Sequence, residues 1–224
     1  MFEFIQVPFL PQSDPEVVEK DGVRLYKFPH QDKYYPSVTS VTSHQSKKSI
    51  MEWRKKVGEE EANKISGRAT SRGNAFHAIV EEYFKGTLNL QQYSNNPLAQ
   101  NLFSCAKATL NRISDIHCLE TPLYSDLFCL AGRVDCIANF DGELAVIDFK
   151  TSSKEKKAKW IENYFVQESA YAAMFYELSG IKVQKIVTLI ATEEGSTQIF
   201  ERYNIDDYLQ VLKRYIREYN DAKK

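Results

Sequence analysis

The stretch Ala131–Ser152, AGRVDCIANFDGELAVIDFKTS, contains two apolar runs on either side of Asp141-Gly142. An Asp-Gly pair between alternating runs predicts a tight β-hairpin, because glycine tolerates the positive φ of a type I′ turn. With a two-residue loop, Asp135 lies directly opposite Asp148 and both point to one face of the hairpin. The stretch therefore predicts two neighbouring strands with carboxylates facing each other.

Two carboxylates placed opposite each other repel, so something must offset their charge. A hard divalent cation held between Asp135 and Asp148 would do so, and Lys150 points to the same face two residues further on. A raised pKa of one aspartate, solvation at an exposed edge, or a bulge that breaks the pairing are the alternatives. A surface hairpin with scattered charges remains the plain structural interpretation.

The composition is that of an ordinary α/β globular chain. The 224 residues favour one domain, and the net charge of −1 means that any nucleic-acid surface is local. Four cysteines without a C-x-x-C pair argue against a zinc site or an iron–sulfur cluster. The start of the chain lacks the basic region of a signal peptide and the Arg-rich pattern of a transit peptide.

The hydrophobic pattern predicts helices, then three strands, a helix, two strands and a final helix. This order indicates an α/β fold with a mixed central sheet flanked by helices and a helical insertion before the hairpin. The predicted helices are 46–63, 69–84 (ending at Gly86), 97–114, 160–178 (closed by Gly180) and 206–219, and the predicted strands outside the hairpin are 23–28, 118–124, 185–191 and 197–203.

Three further groups of residues lie around the hairpin in sequence. His77 lies beside the apolar stripe of its helix, one turn after Gly73, whose place in a helix suggests close approach of another backbone or a substrate strand. Gln167 and Tyr171 share one face of the helix after the hairpin; core packing would explain the tyrosine but not the glutamine. Lysines at the start of that helix oppose its dipole, which is consistent with visiting phosphates or with a solvated loop.

Together, G-x-x-x-H at 73–77, G-R-V-D at 132–135, D-x-K at 148–150 and Q-x-x-x-Y at 167–171 resemble the RecB-like branch of the PD-(D/E)xK nuclease superfamily. Within that branch they are most similar to the exonucleases of mitochondrial genome maintenance and their phage and bacterial relatives. The resemblance covers residue 36 to the end and implies a restriction-endonuclease-like core with an N-terminal helical arch. It also implies a single nuclease domain over 1–224, with an extended arm at 1–45, the arch at 46–117 and the catalytic core at 118–224.

The resemblance assigns roles residue by residue. It makes His77, Asp135, Asp148 and the Phe149 carbonyl ligands of Mg²⁺ or Mn²⁺, and Lys150 the catalytic lysine. Glu120 matches an acidic position that orders metal-bound water or the lysine, while Gln167 and Tyr171 brace the site or touch the scissile strand. The residues expected along the nucleic-acid path are Arg54, Lys55, Arg68, Arg72, Lys154, Lys156, Lys157, Lys159 and Tyr164.

The resemblance thus implies a metal-dependent DNA exonuclease for single-stranded DNA with free ends, active in replication, recombination or repair. We expect a monomer without a membrane partner, recruited by a helicase or a single-strand-binding protein, in the cytoplasm of a bacterial or phage-infected cell. A structure-specific endonuclease and a non-catalytic nucleic-acid-binding recombination accessory protein are the alternatives.

Overall fold

The computed structural model describes residues 2–223, so Met1 and Lys224 of the predicted domain lie outside the described residues. The strands are β1 (Glu16–Lys20), β2 (Val23–Lys27), β3 (Tyr35–Pro36), β4 (Ile113–Ser125), β5 (Leu130–Phe140), β6 (Glu143–Ser152), β7 (Lys185–Thr192) and β8 (Thr197–Arg202). The helices are α1 (Val38–His44), α2 (Lys47–Val57), α3 (Glu59–Lys85), α4 (Pro97–Leu110), α5 (Glu162–Ser179) and α6 (Ile205–Asp221), with 3₁₀ turns at Leu90–Tyr93 and Ala158–Trp160. No helix among these residues is long and apolar enough to cross a membrane.

A five-stranded sheet in the order β4-β5-β6-β7-β8 forms the centre of the molecule. All neighbours are antiparallel except β6 and β7, which α5 connects as a parallel crossover. The hairpin prediction is confirmed, because the turn between β5 and β6 consists of Asp141 (φ 52°) and Gly142 (φ 82°). The mixed α/β fold class expected from the sequence is therefore confirmed.

Two apolar clusters cover the two faces of this sheet. One joins Ile137 and Val146 to α1, α5 and α6, and the other joins Cys136 and Ile147 to α3 and α4. This alternation follows the period of two in the β5 and β6 sequences. Because Asp148 shares a face with Val146, its side chain points towards α5.

The helix boundaries before the sheet differ from the prediction. Instead of helices at 46–63 and 69–84, the chain breaks at Gly58 and continues as the 27-residue α3. Gly58 has φ 89°, a conformation that glycine adopts readily, and three glutamates follow it in the first turn of α3. The predicted helix at 97–114 likewise ends at Leu110, since Ile113 already belongs to β4.

The segment from α2 to the first half of α3 stands away from the sheet. Helix α2 has no buried residue, and the apolar side chains of Ile50, Val57 and Ile65 are exposed although they recur at helical spacing. The N-terminal arm contains the strand expected at 23–28, which is β2 of the sheet β1-β2-β3, and it also forms the helix α1, capped by the Ser37 side chain. Helix α5 begins at Glu162 rather than at residue 160, which lies in a 3₁₀ turn.

Candidate functional site

The strands β5 and β6 separate beside the two aspartates. Their ladder has the predicted register but ends at Cys136 opposite Ile147, one pair short of Asp135 and Asp148. There the Asp135 carboxylate accepts a hydrogen bond from the Phe149 backbone N–H at 2.8 Å. The separation gives the carboxylate a backbone donor and opens the sheet at this point.

A histidine and two carboxylates converge on this opening. His77 Nδ1 from α3 lies 3.5 Å from Glu120 Oε1 on β4 and 3.8 Å from Asp135 Oδ2. One potential ligand atom from each of the three residues lies within 4.8 Å of the others. Burial opposes protonation of His77, but the charges of Asp135 and Glu120 outweigh it and raise its pKa to about 9. The cluster therefore attracts positive charge.

Glu120 reaches the cluster from a distorted part of β4. Its φ of 47° is unusual for a residue with a side chain, and its neighbours Leu119 and Thr121 still pair with β5. The Arg133 guanidinium donates to the Glu120 carbonyl. The kink turns the Glu120 carboxylate towards His77, which the sequence alone could not show.

Asp148 is almost completely buried beside this cluster, with 2% of its surface exposed. Lys150 Nζ lies 2.6 Å from Oδ1 and 2.5 Å from Oδ2, and Gln167 Nε2 donates to Oδ1 at 3.3 Å. Burial raises the pKa of Asp148 to about 6, although the Lys150 charge opposes this change. Burial would lower the pKa of Lys150, but the charges of Asp148 and Asp135 raise it instead, so the lysine stays protonated.

Tyr171 supports this arrangement from α5. It is buried and interacts with Gln167, whose amide contacts Asp148. A Cβ on Gly132 would lie 2.7 Å from Tyr171 Oη and 2.8 Å from Cε1. The glycine of the G-R-V-D motif therefore leaves room for the tyrosine of the Q-x-x-x-Y motif, two motifs that the sequence places far apart.

A buried acid lies next to this support. Glu168 is completely buried, accepts a hydrogen bond from Thr188 Oγ1, and has no partner for Oε2 among the described residues. Burial, aided by the charge of Asp148, raises its pKa well above the usual range. Sequence reasoning missed this residue, although it lies between Gln167 and Tyr171.

We expect the Glu168→Gln variant to become more stable relative to wild type as pH rises. With its pKa raised in the folded state, Glu168 binds more protons folded than unfolded above about pH 4.5, so wild-type stability falls by up to about 1.4 kcal/mol per pH unit there. Thr188, Asp148, Asp135 and Lys150 surround the carboxyl group and are unchanged in the variant. Urea denaturation at pH 5 and pH 8 measures the difference, and a stability difference independent of pH would contradict the assignment.

Arg72 connects the helix that carries His77 to the ends of β6 and β7. Its Nε donates to Thr151 Oγ1 at 3.0 Å, and its terminal nitrogen pairs with Glu193 just after β7. Glu193 is itself held by a backbone hydrogen bond to Ser152 at 3.0 Å. Arg72, predicted to lie along a nucleic-acid path, thus has a side chain only 10% exposed and committed to protein partners.

We expect Arg72→Lys to lower the free energy of unfolding by about 1–3 kcal/mol, because one ammonium cannot reproduce both charge-assisted hydrogen bonds. Arg68→Lys is the matched control, since Arg68 pairs with the same Glu193 at 3.3 Å but has a side chain 70% exposed. The control is expected to lose less than about 1 kcal/mol. Equal losses in urea denaturation would show that Arg72 has no special structural role.

The other residues predicted for nucleic-acid binding lie on α2, at the site itself, or in the segment between β6 and α5. Arg54 on α2 pairs with Glu59 and Asn63, whereas Lys55 beside it is exposed. Tyr164 lies at the site, with its ring centre 5.1 Å from Lys150 Nζ. The lysines at 154, 157 and 159 are exposed and the lysine at 156 is half-buried, all between β6 and α5. Among residues 2–223 no backbone approaches Gly73 closely, since an added Cβ would meet the Thr151 Oγ1 side-chain atom at 3.9 Å, while approach of a substrate strand stays a prediction.

The residues present suit a hard divalent cation. Carboxylate oxygens and one imidazole nitrogen are ligands that Mg²⁺ and Mn²⁺ accept. Among the described residues the buried Asp148 Oδ2 has no hydrogen-bond partner, although the Lys150 ammonium lies 2.5 Å from it. The structure also adds Glu120 to the side chains that could contact such an ion, while the ligand role of the Phe149 carbonyl stays a prediction.

The sheet thus opens beside clustered carboxylates and a half-buried lysine, and Asp135, Asp148 and Lys150 of this site belong to the nuclease-like sequence motifs. The chain is similar to mitochondrial genome maintenance exonuclease 1 of Homo sapiens, 27% identical over 201 residues that cover 84% of this chain and 58% of the relative. The Mus musculus protein of the same name is 28% identical over 138 residues, covering 58% of this chain and 40% of the relative. These relatives confirm the resemblance to nucleases of this kind, although the chain spans only 58% of the longer match.

No protein-family model matches the chain. A crystal structure of a candidate exonuclease from Eubacterium rectale shares 18% identity, with a TM-score of 0.46 over 69% of this chain and 68% of that chain.

Proposed function

We propose that the chain is a metal-dependent DNA exonuclease that hydrolyses phosphodiester bonds in single-stranded DNA with free ends. Its similarity to an exonuclease supports a nuclease of this general kind. The observation that carries the finer proposal is the convergence of His77, Glu120 and Asp135 beside the ion pair of the buried Asp148 and the half-buried Lys150.

In this proposal, His77, Asp135 and Asp148 hold Mg²⁺ or Mn²⁺, and Glu120 contributes its carboxylate to the same cluster. When bound, the cation supplies positive charge against the phosphate and lowers the pKa of a nearby water. His77 must lose its proton to ligate, so binding of the cation is expected to release protons.

Lys150 provides the second positive charge at the site. Its ammonium, kept protonated by Asp148 and Asp135, can donate hydrogen bonds to a phosphate oxygen as negative charge develops there. Gln167 fixes the orientation of Asp148, and Tyr171 supports Gln167 from the core. The phosphate thus meets a preorganised donor whose position depends on α5.

The exposed segment α2 and the first half of α3 form the proposed arch beside this site. It carries Lys55 and Arg68 with exposed side chains, and Arg54 tied to Glu59. A narrow passage beneath such an arch would admit a single strand more readily than a duplex. Selection for free ends follows if the strand must be threaded.

A comparison of end-labelled linear single-stranded DNA with a closed single-stranded circle tests this proposal. With Mn²⁺ present, we expect the linear strand to be degraded and the circle to survive. Cleavage of the circle would replace the proposal by an endonuclease activity. Salt-sensitive binding without cleavage of either substrate would replace it by a nucleic-acid-binding function.

A further inference from the structure

We propose that Trp160 and the lysines around it form a base-stacking platform for single-stranded nucleic acid, beside the site and on the side of α5. The platform is defined as Lys154, Lys156, Lys157, Lys159 and Trp160. It rests on the proposed function, because it concerns the path of the same substrate. It assigns a contact to a residue that none of the sequence motifs contains.

The indole of Trp160 is presented to solvent, with 59% of the residue exposed. The other tryptophan of the chain, Trp53, is half-buried on α2. An exposed indole leaves a large apolar surface in water, and aromatic faces of this kind are used to stack bases without sequence preference. The position is therefore suited to a ligand that offers flat rings.

The turn that carries Trp160 is anchored to the core. The Trp160 backbone N–H donates to the Lys157 carbonyl at 2.8 Å, and the next residue, Ile161, is 2% exposed. Gln198 on β8 holds the loop from both sides, accepting from the Lys156 N–H at 2.7 Å and donating to its carbonyl at 3.0 Å. An anchored ring loses little conformational freedom when a base stacks on it.

The segment before the indole carries four lysines and one glutamate, Glu155. Within residues 2–223, none of the four platform lysines forms a salt bridge, so their charges are available to an anionic ligand. Lys157 Nζ lies 5.4 Å from the centre of the Trp160 ring. The 18-residue helix α5 begins two residues later, and Glu162 in its first turn offsets the favourable potential that a helix N-terminus offers to phosphate, so the lysines supply the positive charge here. Rings and cations side by side match the bases and phosphates of one strand.

The platform continues from the site along the chain. Lys150, at the end of β6, contacts the ring of Tyr164, and the Tyr164 N–H donates to the Ile161 carbonyl at 2.9 Å. The segment from Lys150 through Trp160 to Tyr164 therefore returns to the site. A strand with its phosphate at Lys150 would meet Tyr164 and then the indole. Because the bases of a duplex are already stacked on each other, we expect the platform to favour single strands.

Fluorescence of the Trp53→Phe variant tests the proposal, because Trp160 is then the sole tryptophan. In EDTA, to prevent cleavage, an oligo-dT of about 20 nucleotides is expected to quench the emission in a saturable way. A blunt duplex of equal length, and inorganic polyphosphate at equal charge, are expected to quench little. Absence of quenching by oligo-dT, or equal quenching by polyphosphate, would overturn the proposal.

Binding by a method independent of fluorescence gives the second readout. We expect Trp160→Ala to weaken oligo-dT binding by about 5- to 150-fold and Trp160→Phe to restore most of the affinity. Tyr203→Ala is the matched control, since Tyr203 is 60% exposed but contacts Glu143 at the opposite end of β6. Its affinity should remain within about twofold of wild type. Equal affinity of Trp160→Ala and wild type would overturn the proposal.

Cleavage with Mn²⁺ separates this proposal from the proposed function. At saturating linear DNA, Trp160→Ala should retain kcat while its KM rises with the Kd. If wild type cleaves DNA but oligo-dT does not quench Trp160 in the Trp53→Phe variant, the stacking platform is contradicted and the proposed nuclease activity is supported. If Trp160 is quenched and Trp160→Ala loses affinity, but wild type cleaves no DNA, the stacking platform is supported and the proposed nuclease activity is contradicted.

Discussion

Replacing Lys150 by methionine is expected to lower kcat for cleavage of linear single-stranded DNA by a factor of about 10²–10³. The methionine retains much of the apolar stem but removes the ammonium that would donate to a phosphate oxygen. The same ammonium pairs with Asp148 at 2.6 Å, so its loss also leaves a buried carboxylate without its charged partner. Single-turnover cleavage with Mn²⁺ measures the effect on the chemical step.

The control for this experiment is Lys182→Met, which removes an exposed lysine at the opposite end of the sheet. Circular dichroism and urea denaturation of both variants establish that they fold. We expect the control to cleave as wild type does. A folded Lys150→Met protein with wild-type kcat would remove the lysine from the mechanism.

Gly132→Ala is expected to lower the free energy of unfolding by about 1–3 kcal/mol and to reduce cleavage more than tenfold. The new methyl group would lie 2.7 Å from Tyr171 Oη, well inside contact distance. Because protein interiors are closely packed, the tyrosine or the strand must move. Movement of Tyr171 would disturb Gln167 and, through it, Asp148. Urea denaturation measures the stability, and single-turnover cleavage measures the displacement of the site.

Gly73→Ala is the matched control for stability. Its Cβ would lie 3.9 Å from Thr151 Oγ1, which is ordinary contact, and alanine favours a helix by about 1 kcal/mol over glycine. We expect this variant to be at least as stable as wild type. If Gly132→Ala were as stable as Gly73→Ala, Gly132 would not be needed to make room for the Tyr171 side chain.

The hairpin could be predicted from the sequence because its signals are local. Asp141-Gly142 determines the turn, and the apolar alternation on each side determines the register up to Cys136 and Ile147. The break at Gly58 was missed because a glycine among charged residues permits a bend but does not require one. Helix α2 shows the same limit, since the periodicity of Ile50 and Val57 predicts a helix but not its burial.

The candidate site was predictable where its residues follow one another along a strand or helix. Asp148 with Lys150, and Gln167 with Tyr171, have spacings that place each pair on one face. Contacts that depend on tertiary packing were not predictable, such as the kink that turns Glu120 towards His77 and the anchoring of Arg72 by Glu193. Glu193 follows a strand parallel to β6, so a known strand order would have placed it at the same edge.

Cleavage of end-labelled linear single-stranded DNA by wild type and by Asp148→Asn, each with Mn²⁺ and with EDTA, tests the central claim most directly. The substitution keeps the shape of a side chain that is 2% exposed and removes the charge proposed to hold the cation. We predict degradation only by wild type with Mn²⁺, with Asp148→Asn folded but inactive. Equal cleavage by the folded variant, or wild-type cleavage in EDTA, would contradict a metal-dependent nuclease site at Asp148.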